Sequence, residues 1–176
     1  MPKLSLAKLE RHLYSAADRL RQEGLDAATY KDYILGLLFL KRCSDVFEAE
    51  REKIVGRKVE ESTISEEEAE QKYGENPDFF DTFFVPERAR WSYLLSKLGD
   101  AKEPYGSVLD KALGALAEHN DSLEHVLDHI SFMRTQSNKR IVSDDACKDL
   151  VRHLTATACA TRTSSSPTCS ARPTSF

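Results

Sequence analysis

Glycine is scarce in this chain, with seven in 176 residues. Nucleotide-binding loops need glycines at fixed positions, and the chain has no Walker-type loop, no Gly-x-Ser-x-Gly elbow and no Gly-rich strand-to-helix turn. His-Glu-x-x-His is also absent. Long apolar runs are missing as well. The longest, residues 33–40, falls far short of the roughly 18 residues that span a bilayer. Met1-Pro2-Lys3-Leu4 opens no apolar h-region, so the sequence predicts a cytoplasmic protein with reduced thiols and no membrane partner. No segment alternates with period two for long, which argues against a sheet. Net charge is also small: 25 basic against 29 acidic residues give −4. That argues against a dedicated polyanion binder but not against a local basic face.

What is present is unevenly distributed. Residues 155–176 hold six Thr, five Ser and four Ala, and no Asp, Glu, Lys, Leu, Ile or Val. Such a stretch cannot bury enough apolar surface to offset the entropy of ordering, so it reads as a low-complexity, disordered tail. Residues 1–154 carry the remaining chemistry and read as one helical domain. Two of the four cysteines, Cys159 and Cys169, belong to the tail.

Within 1–154 the apolar period is helical. Leu6, Leu9, Leu13, Ala16 and Leu20 form one stripe, with Ser5 as N-cap and Gly24 as the C′ residue. Asp26 caps a second helix predicted to reach about Lys53, and its apolar run 33–40 predicts burial on every side. Ser65 before Glu66, Glu67 and Glu68 starts another helix. Residues 74–87 read as an irregular connection anchored by Phe79, Phe80, Phe83 and Phe84. A short helix covers 90–98 with Trp91 and Leu94 inward. Ser107 and Asp110 suggest a capping box for the next helix, ending near Asn120. Ser122 is predicted to cap a helix to about Ile130, with Leu123, Val126, Leu127 and Ile130 inward. Ser143 caps the last, with Ala146, Leu150, Val151 and Leu154 inward. The expected fold is all-α, a multi-helix bundle with an aromatic-rich irregular connection.

Few constellations here could carry chemistry. His125 and His129 have the i, i+4 spacing of paired metal ligands, with His119 and Asp121 upstream, but the apolar stripe points them to solvent and no Cys or Glu completes the set. Cys43 sits on an apolar face and Cys147 early in a helix, so both read as packed thiols. A small metal- or thiol-dependent enzyme is therefore the poorest reading. Asn76-Pro77-Asp78-Phe79 resembles Asn-Pro-Pro-Phe, the target-base motif of amino-group DNA methyltransferases. The second proline and any cofactor turn upstream are missing, so an Asn-Pro turn fits better. No catalytic, cofactor-binding or metal residue is assigned.

Basic residues cluster locally. Residues 1–58 hold 12 bases and 9 acids, whereas 59–154 is net −9. Lys31, Lys41, Arg42, Arg88, Arg90, Lys139 and Arg140 are the candidate contacts to DNA phosphates, against the simpler reading of a solvated face with helix ion pairs.

Three ordered blocks carry a family resemblance. Leu13-x-x-Ala16-Ala17-Asp18-x-Leu20-Arg21, then Ala28-x-Tyr30-Lys31 with Ile34-Leu35-Gly36-Leu37-Leu38-Phe39-Leu40-Lys41-Arg42-Cys43-Ser44-Asp45, then Phe84-Val85-Pro86-x-x-Ala89-Arg90-Trp91-x-x-Leu94 resemble the N-terminal helical domain of the methyltransferase (M) subunit of type I restriction–modification systems. The resemblance covers about residues 6–154. It implies a domain that precedes an S-adenosylmethionine-dependent, adenine-methylating catalytic domain and helps close the complex around a DNA duplex. Its implied partners are a specificity subunit, a second M subunit and the restriction subunit. The chain itself would hold no cofactor and be inactive alone. The alternative is a stand-alone helical interaction or regulatory module that binds methyltransferase or specificity subunits. Back-translated with GC-rich codons and shifted by one base, the tail reads NRYRLRNEDFEFPDLLGAAYE, similar to the family's entry into its catalytic domain. This makes a frameshift the expected origin of residues 155–176.

Overall fold

The computed structural model describes residues 6–22, 24–62, 64–136 and 139–162. Among them the chain folds as six α-helices joined by short 3₁₀ turns and one small hairpin, so the all-α expectation holds. Helix α1 (Leu6–Gln22) buries Ala16, Ala17 and Leu20. The predicted cap at Ser5 lies outside the described residues. Gly24 has φ +86, the left-handed geometry a C′ glycine supplies cheaply. Its N–H reaches the Arg21 carbonyl at 2.9 Å and the Leu25 N–H reaches Leu20 at 3.3 Å, which is a Schellman closure.

Helix α2 (Ala27–Glu61) starts where Asp26 accepts from the Thr29 N–H at 2.9 Å. It runs eight residues past the expected end at Lys53, through Gly56. The reason is packing: Ile54 and Val55 are buried against helix α3 (Glu66–Ala69) and the π turn that follows it. The Ser65 hydroxyl and the Glu68 carboxylate close a capping box on α3. Burial of 33–40 is not complete on every side. Tyr33, Ile34, Leu37 and Leu40 are buried, but Leu35 is 55% exposed.

Helix α4 (Trp91–Ser96) plugs the core through Trp91 and Leu94. The Trp91 backbone N–H donates to the buried Ser44 hydroxyl at 2.8 Å, and its indole N–H donates to Thr155 Oγ1 at 2.8 Å. Helix α5 (Tyr105–Glu118) begins after Pro104, two residues before the expected cap at Ser107. Asp110 forms no capping box. Its carboxylate instead accepts from Ser131 Oγ, Phe132 N and Met133 N at 2.9, 2.7 and 3.2 Å.

The expected helix over 122–130 does not form. A 3₁₀ turn, Asp121–Leu123, is followed by turns, and His125 takes φ +64. Leu123, Leu127 and Ile130 are still buried while Val126 is 51% exposed, so the segment gains its burial without nucleating a helix. Strands β1 (Thr135–Gln136) and β2 (Lys139–Arg140), which the sequence does not announce, pair antiparallel. Helix α6 (Asp144–Arg162) is capped by Ser143, whose hydroxyl accepts from Ala146 N at 3.2 Å. It continues eight residues past the composition break at 154. Alanines at 156, 158 and 160 favour a helix, and Thr155 is fixed to Trp91. Residues 163–176 lie outside the described residues.

The core is the space enclosed by α1, α2, α4, α5 and α6. Leu20, Leu37, Leu40, Phe47, Leu109 and Leu150 sit at its centre, all fully buried. Gly106 lies where α5 meets the 131–133 backbone. A Cβ there would stand 3.0 Å from the Phe132 carbonyl oxygen. Gly106→Ala should cost roughly 1–3 kcal/mol of unfolding free energy through overpacking, read by urea denaturation followed by circular dichroism.

Candidate nucleic-acid interface

The seven candidate cations do not share one surface. Lys41 is buried. Its ammonium pairs with Asp45 and lies over the Trp91 ring, 5.4 Å from the centroid. Arg90 is buried too. Its guanidinium holds Glu75 at 3.0 and 2.6 Å, donates to the Val85 carbonyl at 3.2 Å and lies over Phe47. Neither is open to a phosphate: each buried cation is held within the domain by a partly exposed acid and a ring face. Arg140 is likewise engaged, gripping Asp144 with two bonds at 2.7 and 2.8 Å. Lys31, Arg42 and Arg88 are exposed and make no hydrogen bond or ion pair among the described residues. The side chain of Lys139 lies outside the described residues.

The histidines do not converge. Without a helix over 122–130, the i, i+4 argument for His125 and His129 lapses. His125 Nδ1 meets Asp128 Oδ2 at 2.9 Å, and His119 Nδ1 bonds the Ala115 carbonyl at 2.9 Å. No group of three His, Cys, Asp or Glu among the described residues is arranged to hold a metal ion. Asn76-Pro77-Asp78-Phe79 is a turn: Asn76 Oδ1 accepts from the Asp78 N–H at 3.1 Å ahead of a 3₁₀ turn. Cys43 and Cys147 are free and buried, and burial pushes the Cys43 thiol up to about 11.

Two of the clefts beside α2 bear on binding. One, of about 320 Å³, lies between α1 and α2 and is largely apolar, lined by Leu13, Tyr14, Ala17, Tyr30, Ile34 and Leu35 together with Glu10, Arg21 and Lys31. Tyr14 and Leu35 are the most exposed large apolar side chains described, at 68% and 55%. The other runs along the outer face of α2 in two contiguous parts of about 680 and 730 Å³, which share Arg42, Val46, Asp81 and Thr82. Lys53 and Arg57 on α2 line one part together with Phe79, and Phe83 lines the other part together with Arg42. Lys53 and Arg57 fall in local basic clusters of the sequence but are not among the candidate phosphate contacts, and a helix end at Lys53 leaves only Arg57 off α2. The signal was available: Lys31, Arg42 and Lys53 are eleven residues apart, three helical turns to within about 20°.

The wall opposite α2 is held by ion pairs. Glu75 bridges Arg90 and Arg51, the latter at 3.0 Å. Burial pulls the Glu75 carboxyl up, but bonds to Arg90 and Arg51 outweigh it and leave it below the usual carboxylate value. This sets the connection 75–90 against α2 and so defines the groove.

The described residues thus form an all-helical domain packed around one long helix, with an apolar cleft and a cation-bearing groove on its surface. Residues 9–154 match the HsdM N-terminal domain, and the chain belongs to this family, the N-terminal part of the methyltransferase subunit of type I restriction–modification systems. No curated protein matches the chain. No helix among the described residues is long and apolar enough to cross a membrane.

Two outcomes follow from the ion pairs. Arg90→Gln should lower unfolding free energy by roughly 1.5–3 kcal/mol, as expected for charged hydrogen bonds, in urea melts. Because Glu75 is held below its ordinary value when folded, the stability it contributes is present above about pH 4.5 and is lost as pH falls below that. Thermal melts across the acid range should therefore show a flatter decline for Glu75→Gln than for the unaltered chain.

Proposed function

We propose that this domain assembles with the other subunits of a type I restriction–modification complex and helps clamp the DNA duplex, without performing chemistry itself. Its partners in this reading are a specificity subunit, a second M subunit, the restriction subunit and duplex DNA. The observation that carries the reading is the family match over 9–154, joined to an apolar cleft that leaves Tyr14 and Leu35 in water. Exposed apolar surface of this kind marks a site of association. Lys31, Arg42 and Arg88 remain the cations open to phosphates.

In this reading S-adenosylmethionine, the cofactor of the methyltransferase, is held by residues other than these. The chain has no Gly-rich strand-to-helix turn, and the two strands described are two residues each. No methyl-transfer step is assigned to these residues.

The reading is tested with the full chain and a purified specificity subunit of the same kind of system. Co-elution on size exclusion is expected, and Tyr14→Ser with Leu35→Ser should weaken it at least tenfold while the helical circular dichroism is retained. Incubated alone with labelled S-adenosylmethionine and duplex DNA, the chain should transfer no methyl group. Methyl transfer by the isolated chain, or assembly unaffected by the double substitution, would overturn the reading.

A further inference from the structure

The groove on the outer face of α2 has two chemically different walls. The helix wall carries Arg42, Lys53 and Arg57, all exposed and without an ion pair or hydrogen bond among the described residues. Most other described arginines and lysines are spent: Arg19, Arg21, Lys41, Arg51, Lys58, Arg90, Lys97, Lys111, Arg140 and Arg152 each face an acid. At about 1.5 Å per residue, Arg42 and Arg57 stand about 22 Å apart along the axis, with Lys53 one turn from Arg57. The opposite wall holds Phe79 and Phe83, 42% and 36% exposed, with Asp81, Thr82, Asp121 and Ser122 beside them. Two acids lie on the helix side: Asp45 pairs with Lys41, and Glu50 accepts from the Thr82 hydroxyl at 2.7 Å.

We propose that this groove seats a single nucleic-acid strand, its phosphates on the α2 cations and its bases against the wall of Phe79 and Phe83. Each wall matches one edge of such a strand. Cations along a groove track the backbone, and exposed aromatic rings stack on bases irrespective of sequence. Asp81, Asp121, Thr82 and Ser122 sit on the base side, where a carboxylate or hydroxyl accepts from the N–H groups of unpaired bases, the thymine N3–H among them. On the phosphate side those acids would repel. A duplex uses only one wall, because its base faces are stacked inside and offer nothing to Phe79 or Phe83. An acidic peptide would meet Asp81 and Asp121 on the far wall. The inference goes beyond duplex clamping and does not need it.

The test is fluorescence anisotropy of a labelled 12-nucleotide oligothymidine, and of a duplex of the same length, titrated with the full chain at several salt concentrations. Oligothymidine should bind. The variant Arg42→Gln/Lys53→Gln/Arg57→Gln should lose at least tenfold in affinity, and its log–log salt slope should shrink by about 2, from roughly 0.7 per released phosphate contact. Phe79→Ala/Phe83→Ala should lose a comparable factor with the slope unchanged, since stacking releases no counterions. Lys102→Gln, an exposed cation away from the groove, should change neither. All substituted side chains are exposed, so circular dichroism should confirm folded variants. Several results overturn the proposal. Oligothymidine binding untouched by the triple variant removes the groove. Binding sensitive to the cations but not to the phenylalanines reduces it to an electrostatic patch. Duplex binding without oligothymidine binding rejects a single strand while leaving the clamping reading intact. Binding of neither nucleic acid sinks both.

Discussion

A helix of 35 residues, about 52 Å long, outreaches the other described elements, which cover it on one side and leave Leu35, Arg42 and Arg57 exposed, and α2 organises the domain through that constraint. Its inner face, from Tyr33 through Leu37 and Leu40 to Phe47, is the floor on which α1, α4, α5 and α6 converge. Its far end has no helix of comparable length to lean on. There Ile54 and Val55 are covered by a capped single turn and a π turn. What those elements leave uncovered is the outward line from Leu35 through Arg42 to Arg57, and both surface clefts open along it.

The connections are long, so the fold depends on side chains that take the place of a sheet partner. Asn120 accepts from the Phe84 N–H at 3.0 Å and donates to its carbonyl at 2.9 Å, pairing with that residue as a neighbouring strand would. Asp110 gathers three donors from 131–133. Arg90 binds the backbone at Val85 and the carboxylate of Glu75 together. In each case a charged or amide group satisfies backbone that has no ladder, which keeps irregular chain from carrying buried unpaired polar groups. Among the described residues no buried side-chain nitrogen or oxygen lacks a partner.

This division explains what was legible in the sequence. Helix starts were readable because caps are local: Asp26, Ser65 and Ser143 each do what their residue type predicts. The apolar stripe of α5 was readable too, but its start was not, since Asp110 was claimed by a loop twenty residues away. The 122–130 segment shows an apolar pattern with helical period and still folds as turns, because Leu123, Leu127 and Ile130 find burial against existing helices before a nine-residue helix could repay its nucleation. Charge was the least legible property. Lys41 and Arg42 are neighbours in sequence, yet a 100° turn of the helix sends one onto Trp91 and the other into water.

That last contrast bears on how a surface of this family should be read for function. Counting bases in a window cannot separate a cation that holds the fold from one that is free to meet a partner. Arg90 and Lys41 are fixed by ring faces and acids, and neutralising either would reduce binding of any ligand simply by unfolding the groove wall or the α2–α4 contact. Arg42, Lys53 and Arg57 have no such second role, so their loss reports on the ligand alone. The same separation applies to the apolar residues. Leu37 and Leu35 are two positions apart, one fully buried and one 55% exposed, and only the second can serve an interface without first serving the core. A long helix can display assembly and ligand-facing surfaces side by side because its period assigns successive residues to different tasks, and its core-facing third supplies the rigidity that both surfaces need.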